Sequence, residues 1–313
     1  VPSYAVGLDI GGTKISAGVV DGSGRILARS RRPTTPDDAS AIERDVIELV
    51  AELASEFPVD AVGVAAAGLV DADRSTVRFA PNLVWRDHPL GDRLSRALSL
   101  PVVVENDANA AGWAEHRFGA GMGASDLLMV TLGTGIGGAV VSGSKLVRGS
   151  NGFASEIGHL RFVPDGLPCG CGRLGCWEQY ASGSALARGA RHAAATMPDR
   201  SVALVARAGG DPARIHGEHV TALARDGDPL AVQLVEQLAG DLGLGIASLV
   251  AVLDPAVVVL GGGMATDGDY LLPLVEKVVR AELVGPVPPQ IRVAAFRDEG
   301  GLVGAADLAH ASG

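Results

Sequence analysis

Lysine is nearly missing from this chain: of 26 basic residues only Lys14, Lys145 and Lys277 are lysines, and 36 acidic residues bring the net charge to −10. A nucleic-acid or anionic-membrane footprint needs a basic face, so this balance argues against both partners. Long hydrophobic runs are also lacking. The longest, Leu242–Leu253, is broken by Asp254-Pro255 and falls short of the ~20 apolar residues that cross a bilayer. The opening VPSYAVGLDI has neither the basic segment nor the apolar core of a signal peptide, which makes a cytoplasmic protein with reduced thiols the expectation. Cysteine is scarce: Cys169, Cys171 and Cys176 are the only three.

What is present can build substantial cores, since 47% of the 313 residues are hydrophobic and 20% are charged. A chain of this length suggests two domains sharing a cleft. The opening YAVGLDIGGTKISAGVVDGSGRILARS reads as strand, Gly-Gly-Thr turn, strand, turn and strand, and DLLMVTLGTGIGGAVVSGSKLVRG from Asp126 repeats that meander. A second echo pairs VDAVGVAAAG at Val59 with PAVVVLGGG at Pro255, so the chain holds an internal duplication. Helical patterns cover 37–57, 107–118, 184–197, 229–253 and 270–283, with a short apolar helix over 302–310. Helices alternating with strands predict an α/β protein. The expected division sets a small lobe of residues 1–111, joined by the C-terminal helix 302–313, against a large lobe of 112–301.

The glycine-rich stretches fail the two standard nucleotide motifs. LGTGIGG at Leu132 has the spacing of a dinucleotide fingerprint but runs on into a strand rather than opening a helix, and DIGGTK at Asp9 lacks P-loop spacing. Two strand-turn-strand loops with exposed backbone N–H groups can still cradle phosphate without a helix; the alternative is two plain hairpins. Thr13 and Thr134 at matching places favour the cradle. Asp9, at a strand end, can hold Mg²⁺ through water or simply form a turn. Glu105-Asn106-Asp107 stands at a strand-to-helix junction, where Asp107 can be either a helix N-cap or a proton-accepting carboxylate beside the Asn106 amide. Asn82 reads as a turn residue.

His159, Cys169, Cys171 and Cys176 lie within 18 residues, a donor set suited to a closed tetrahedral zinc site. A zinc-bound imidazole presents its second nitrogen as a fixed N–H donor. Glu156 and Glu178 flank this loop, which would give a face fitted to the vicinal hydroxyls of a sugar. The alternatives are a redox dithiol, which leaves His159 unexplained, and a zinc staple with solvated glutamates. The six other histidines are expected at the surface.

DIGGTK, ENDANAA at Glu105, LGTGIGG, EIGHL at Glu156, CGCGRLGCWE at Cys169 and LGGG at Leu260 together resemble the ROK family of sugar kinases and repressors over nearly the whole chain. The resemblance implies the actin-like, hexokinase-type ATPase fold, two duplicated α/β lobes with a sugar in the cleft between them. ATP would lie against Asp9, Gly11, Gly12, Thr13 and Lys14 of one loop, Gly133, Thr134 and Gly135 of the other, and Gly261, Gly262 and Gly263. Sugar contacts would fall on Gly68, Asn82, Asn106, Asp107, Glu156, His159 and Glu178, with Asp107 as catalytic base, so that Asn82 becomes more than a turn residue. Structural zinc would be held by His159, Cys169, Cys171 and Cys176, and Mg²⁺ would accompany ATP. The expected protein is thus an ATP-dependent glucokinase of glycolysis, assembled as a dimer or tetramer. Mannose, fructose or N-acetylmannosamine as substrate, polyphosphate as donor, or a silent sugar-sensing module remain alternatives. A DNA-binding repressor is not expected, since the first strand begins at Tyr4 and the charge is acidic.

Overall fold

The computed structural model describes residues 4–285 and 287–311, apart from the side chains of 266–268. The chain divides into two compact units, the first formed by Val1–Leu127, Ala139–Ser155 and Ala295–Gly313, the second by Leu128–Gly138 and Glu156–Ala294.

In the first unit, β1 (Tyr4–Ile10), β2 (Lys14–Asp21) and β3 (Ile26–Pro33) form the expected meander, followed by α1 (Ala39–Ala54) and β4 (Val59–Ala66). Short strands β5 (Leu69–Val70), β6 (Val77–Phe79) and β7 (Arg86–His88) make a separate small sheet. Then come α2 (Leu90–Leu98), β8 (Val102–Asn106) and α3 (Asp107–Phe118). The main sheet has the order β3-β2-β1-β4-β8. Its meander is antiparallel, while β1–β4 and β4–β8 are parallel. The central strands are buried on both faces, which explains their continuous apolar runs.

A second sheet is built from β9 (Leu127–Leu132), β10 (Ile136–Ser142), β11 (Lys145–Leu146), β12 (Val257–Gly261) and β13 (Gln290–Val293). Its order, β11-β10-β9-β12-β13, repeats that of the first sheet strand for strand. The duplication seen in the sequence is therefore a duplication of topology. The helices α4 (Glu178–Ala181), α5 (Gly183–Thr196), α6 (Val202–Arg207), α7 (Gly217–Arg225), α8 (Pro229–Leu253) and α9 (Gly268–Glu282) belong to the second unit. Among the described residues α8 alone is long and apolar enough to cross a membrane, and 56% of its apolar window is buried, as a core helix requires. The 111/112 boundary drawn from the sequence falls within α3, which lies whole in the first unit.

The C-terminal helix, Gly300–His310, belongs to the first unit and is buried from Gly300 to Ala309; residues 312–313 of the expected C-terminal piece lie outside the described residues. It packs on β1, β4 and α3, and its buried Asp307 accepts hydrogen bonds from Trp113 Nε1 at 2.7 Å and Arg117 Nε at 3.0 Å. Backbone meets backbone here: a Cβ added at Gly63 of β4 would strike the carbonyl of Ala305, and one added at Gly304 would strike that of Ala110. Neither obstacle is a movable side chain. Gly63→Ala is expected to destabilise the protein by about 1–3 kcal/mol or more through overpacking. A lowered thermal melting temperature, against an unchanged one for alanine at the open Gly22, checks it.

Candidate active site

In the first unit the junction of β8 and α3 is made by the triplet read in the sequence. Asn106, not Asp107, is the N-cap: its side chain accepts from the Asn109 N–H at 3.0 Å, and its Nδ2 donates to the carbonyl of Gly68 at 3.1 Å. Asp107 is the first helical residue, with Oδ1 accepting from the Ala108 N–H at 2.9 Å. Burial pushes its pKa up against the pull of those backbone N–H groups. Glu105 is fully buried, with Oε2 3.2 Å from Arg74 Nε and 2.7 Å from Arg148 Nε. That enclosure leaves its carboxyl no open face toward a substrate.

Asp9 lies near Asp107. Burial, and then the Asp107 charge, raise its pKa to about 7; Lys14 pulls it down and Asp298 adds to the rise. Its carboxyl rests against Gly301, where a Cβ would stand 3.3 Å away. Nothing near Asp9 in the linear chain points to that neighbour, which arrives from the other end. Gly11 and Thr13 take part in a hairpin turn: the Gly11 N–H donates to Lys14 O at 3.0 Å and Thr13 O accepts from the Thr34 N–H at 3.1 Å. Lys14 is exposed, 3.9 Å from Asp298. Gly12 faces Asn82, whose Cβ would stand 3.3 Å from an added one. Asn82 itself occupies a turn fastened by Arg86, whose guanidinium donates to the carbonyls of Ala80, Leu83 and Trp85.

The second unit contains a cavity of about 560 Å³, a size typical of small-molecule sites. Gly133, Thr134 and Gly263 of the glycine-rich loops line it, together with Ser184, Arg191, His216, Glu218 and Thr221, which the sequence did not single out. His216 is exposed, as expected of it, and stands at the rim of this cavity. The loop runs on into β10 rather than opening a helix, and the N–H of Gly183, first residue of α5, donates to Gly133 O at 2.9 Å. This brings a helix N-terminus, with its partial positive charge, to the cavity. Gly262 has φ +83 and backs directly onto Leu132, so the LGGG turn is locked to the end of β9. Gly261 sits inside, against Met129, and does not line the cavity.

His159, Cys169, Cys171 and Cys176 converge, their ligand atoms all within 4.8 Å of one another. The Cys169 Sγ to His159 Nδ1 distance is 3.7 Å and the Cys171 to Cys176 Sγ distance is 3.6 Å. These match the ~3.7 Å edges of a tetrahedron with metal–sulfur bonds near 2.3 Å. The donor set fits a metal ion bound through Nδ1. Glu178 joins the cluster: its Oε1 accepts from Cys169 Sγ at 3.0 Å and lies 3.8 Å from His159 Nδ1, while its other oxygen covers Gly135. Burial, with donation to Glu178 among the further causes, pushes the Cys169 thiol up to about 12. Glu156 is exposed at the start of the same loop, its carbonyl accepting from the His159 N–H at 3.1 Å.

The Asp9 carboxyl holds its proton to about pH 7 in the folded chain, whereas an aspartate open to water holds it only to 3.8. The folded state thus loses stability as pH rises through this window. Asp9→Asn, which mimics the protonated form, is expected to raise the melting temperature by several degrees at pH 8 and to leave it unchanged at pH 4, measured without divalent cations.

The family model described as ROK family matches residues 5–312. The glucokinase of Streptomyces coelicolor is 47% identical over 308 residues, 97% of this chain and 96% of that protein. The crystal structure of a ROK family glucokinase from Streptomyces griseus in complex with glucose and AMPPNP is 47% identical and superposes with a TM-score of 0.88, covering 98% of this chain and 99% of that one. A ROK hexokinase from Thermus thermophilus follows at 38% identity and a TM-score of 0.85, covering 99% and 98%. The fold is accordingly the actin-like, hexokinase-type ATPase fold. With a family model spanning nearly its whole length and relatives this similar on sequence and on structure, the chain belongs to the ROK family.

Proposed function

We propose that this protein phosphorylates glucose at the 6-hydroxyl with ATP, yielding glucose 6-phosphate and ADP. The observation that carries the reading is the Asn106–Asp107 junction: a desolvated carboxylate of raised pKa at a helix start, in a chain 47% identical over nearly full length to glucokinases. Asp107 takes the proton of the 6-hydroxyl as that oxygen attacks the γ-phosphorus and the bond to ADP breaks. A raised pKa makes it a better acceptor than an ordinary carboxylate. Phosphoryl transfer otherwise needs positioning and charge stabilisation. In the first unit Gly68, Asn82 and Asn106 are the groups proposed to hold sugar hydroxyls; in the second unit Glu156, His159 and Glu178 offer a face of the same chemistry.

The donor binds in the 560 Å³ cavity of the second unit, with Gly133, Thr134 and Gly263 toward its phosphates and Gly135, Gly261 and Gly262 shaping the loops that carry them. In the first unit Gly11, Gly12, Thr13 and Lys14 form a second strand-turn-strand loop whose backbone N–H groups suit phosphate. Ser184, Arg191, Glu218 and Thr221 offer the polar groups that a purine ribonucleoside needs and a bare polyphosphate does not, which favours ATP. Mg²⁺ supplies charge neutralisation on the phosphates when bound, and the pair of unneutralised carboxyls at Asp9 and Asp107 suits a cation held through water. Zinc is the ion for the His159–Cys169–Cys171–Cys176 cluster, holding the imidazole with Nε2 directed away as an N–H donor.

Asp107→Asn leaves the Asn106 cap intact, so it is expected to lower kcat by roughly 10²-fold or more while sugar affinity stays similar. Turnover beside calorimetric glucose affinity checks this, and near-normal turnover would end the assignment. Elemental analysis is expected to find one zinc per chain, and Cys171→Ala to abolish it and weaken glucose binding more than ATP binding. Since the Cys169 thiol must lose its proton to a metal, zinc retention against a chelator should fall as pH drops from 8 to 6. Equal weakening of both ligands would mean general unfolding instead.

A further inference from the structure

The buried ion cluster beside the active residues has no part in the chemistry proposed above, yet it joins the 68–74 segment, the β8–α3 junction and Arg148. Arg148, in the stretch after β11, places Nε 2.7 Å from Glu105 Oε2. The contact is electrostatic rather than a directed hydrogen bond. Its two terminal nitrogens donate to backbone carbonyls, Nη1 to Ala72 at 2.8 Å and Nη2 to Asp71 at 2.7 Å. The other Glu105 oxygen accepts from the Asn106 N–H at 3.0 Å and from Asn109 Nδ2 at 3.2 Å. Asn106 in turn donates to the carbonyl of Gly68. The loop 68–72 is thus tied at one end by Asn106 and at the other by Arg148, and both ties meet at Glu105. Arg74, with φ +56, approaches the same carboxylate at 3.2 Å and accepts the Val104 N–H on its own carbonyl at 2.9 Å.

From this geometry we infer that Arg148 is a positioning residue for sugar phosphorylation, fixing the Gly68–Ala72 loop against the Asn106–Asp107 junction through the buried Glu105 carboxylate. The inference rests on the reading of that junction as the sugar-binding and proton-accepting site. A guanidinium suits the task because its planar fork spans a carboxylate and two carbonyls at once, which a lysine ammonium does not. Displacing a reacting group by about 1 Å can cost ~10²-fold in rate, so the effect should appear in glucose turnover. The donor cavity consists of other residues, so ATP binding should not follow.

Steady-state kinetics for both substrates, with melting temperatures, test the inference. Arg148→Met should lower kcat/KM for glucose by about 10²-fold with KM for ATP unchanged, and should destabilise the fold by leaving Glu105 underpaired. Adding Glu105→Gln removes that charge and should restore melting temperature without restoring kcat. Normal glucose kcat/KM in Arg148→Met, or turnover returning with stability in the double variant, would overturn the inference. If neither variant folds, Arg148→Lys retains the charge without the span, and normal kinetics there would overturn it equally. The Asp107 reading fails separately: a normal Arg148→Met beside an inactive Asp107→Asn ends this inference alone. Normal turnover of Asp107→Asn ends the base assignment and leaves the glucose KM of the Arg148 variants as the readout.

Discussion

Backbone lying directly on backbone is the constraint on which this structure depends. The C-terminal helix can sit against β4 and α3 only because Gly63 and Gly304 present no side chain where carbonyls of Ala305 and Ala110 stand. That seat also brings Gly301 to Asp9, so the end of the chain forms part of the wall around a carboxyl near its start. In the second unit Gly262 backs onto Leu132 and Gly135 lies under Glu178. Glycine there links the loop lining the cavity to the loop carrying the cysteine–histidine cluster.

Charge in the first unit is distributed unevenly, and the unevenness separates scaffold from chemistry. Glu105 is fully buried and faces two guanidiniums, which offset part of the cost of keeping a carboxylate in the interior. Asp107 and Asp9 are desolvated with no such pairing and carry raised pKa values. Groups left unneutralised in this way cluster at functional sites, and a divalent cation is what would compensate them. The same logic holds at the cysteine loop, where burial pushes the Cys169 proton up to about 12 and only a competing cation would remove it.

Much of this was legible in the linear chain. The two meanders, the echo of β4 in β12 and the cysteine loop are local patterns, and local patterns survive into the fold because strand period, turn chemistry and ligand spacing act over a few residues. Asn106 and Asp107 were found by their place at a strand-to-helix junction, though which of them caps the helix was not legible: both types cap well, and the choice followed from the exact end of β8. Arg74, Arg148, Arg191 and His216 carried no signal, because an isolated arginine or histidine has no pattern and acquires a role only from its neighbours in space.

Periodicity, glycine placement and donor spacing are written along the chain, and they were enough to set the two meanders, most of the long helices and the duplication, and to single out candidate groups for the chemistry. Which of those groups are neutralised was settled by packing alone. Glu105 and Asp107 are two residues apart with the same carboxyl chemistry, yet one is enclosed by arginines from positions 74 and 148 and the other is desolvated without a cation. Desolvation and long-range pairing, which set the reactivity of a carboxylate, are properties of three-dimensional packing that no short stretch of chain contains.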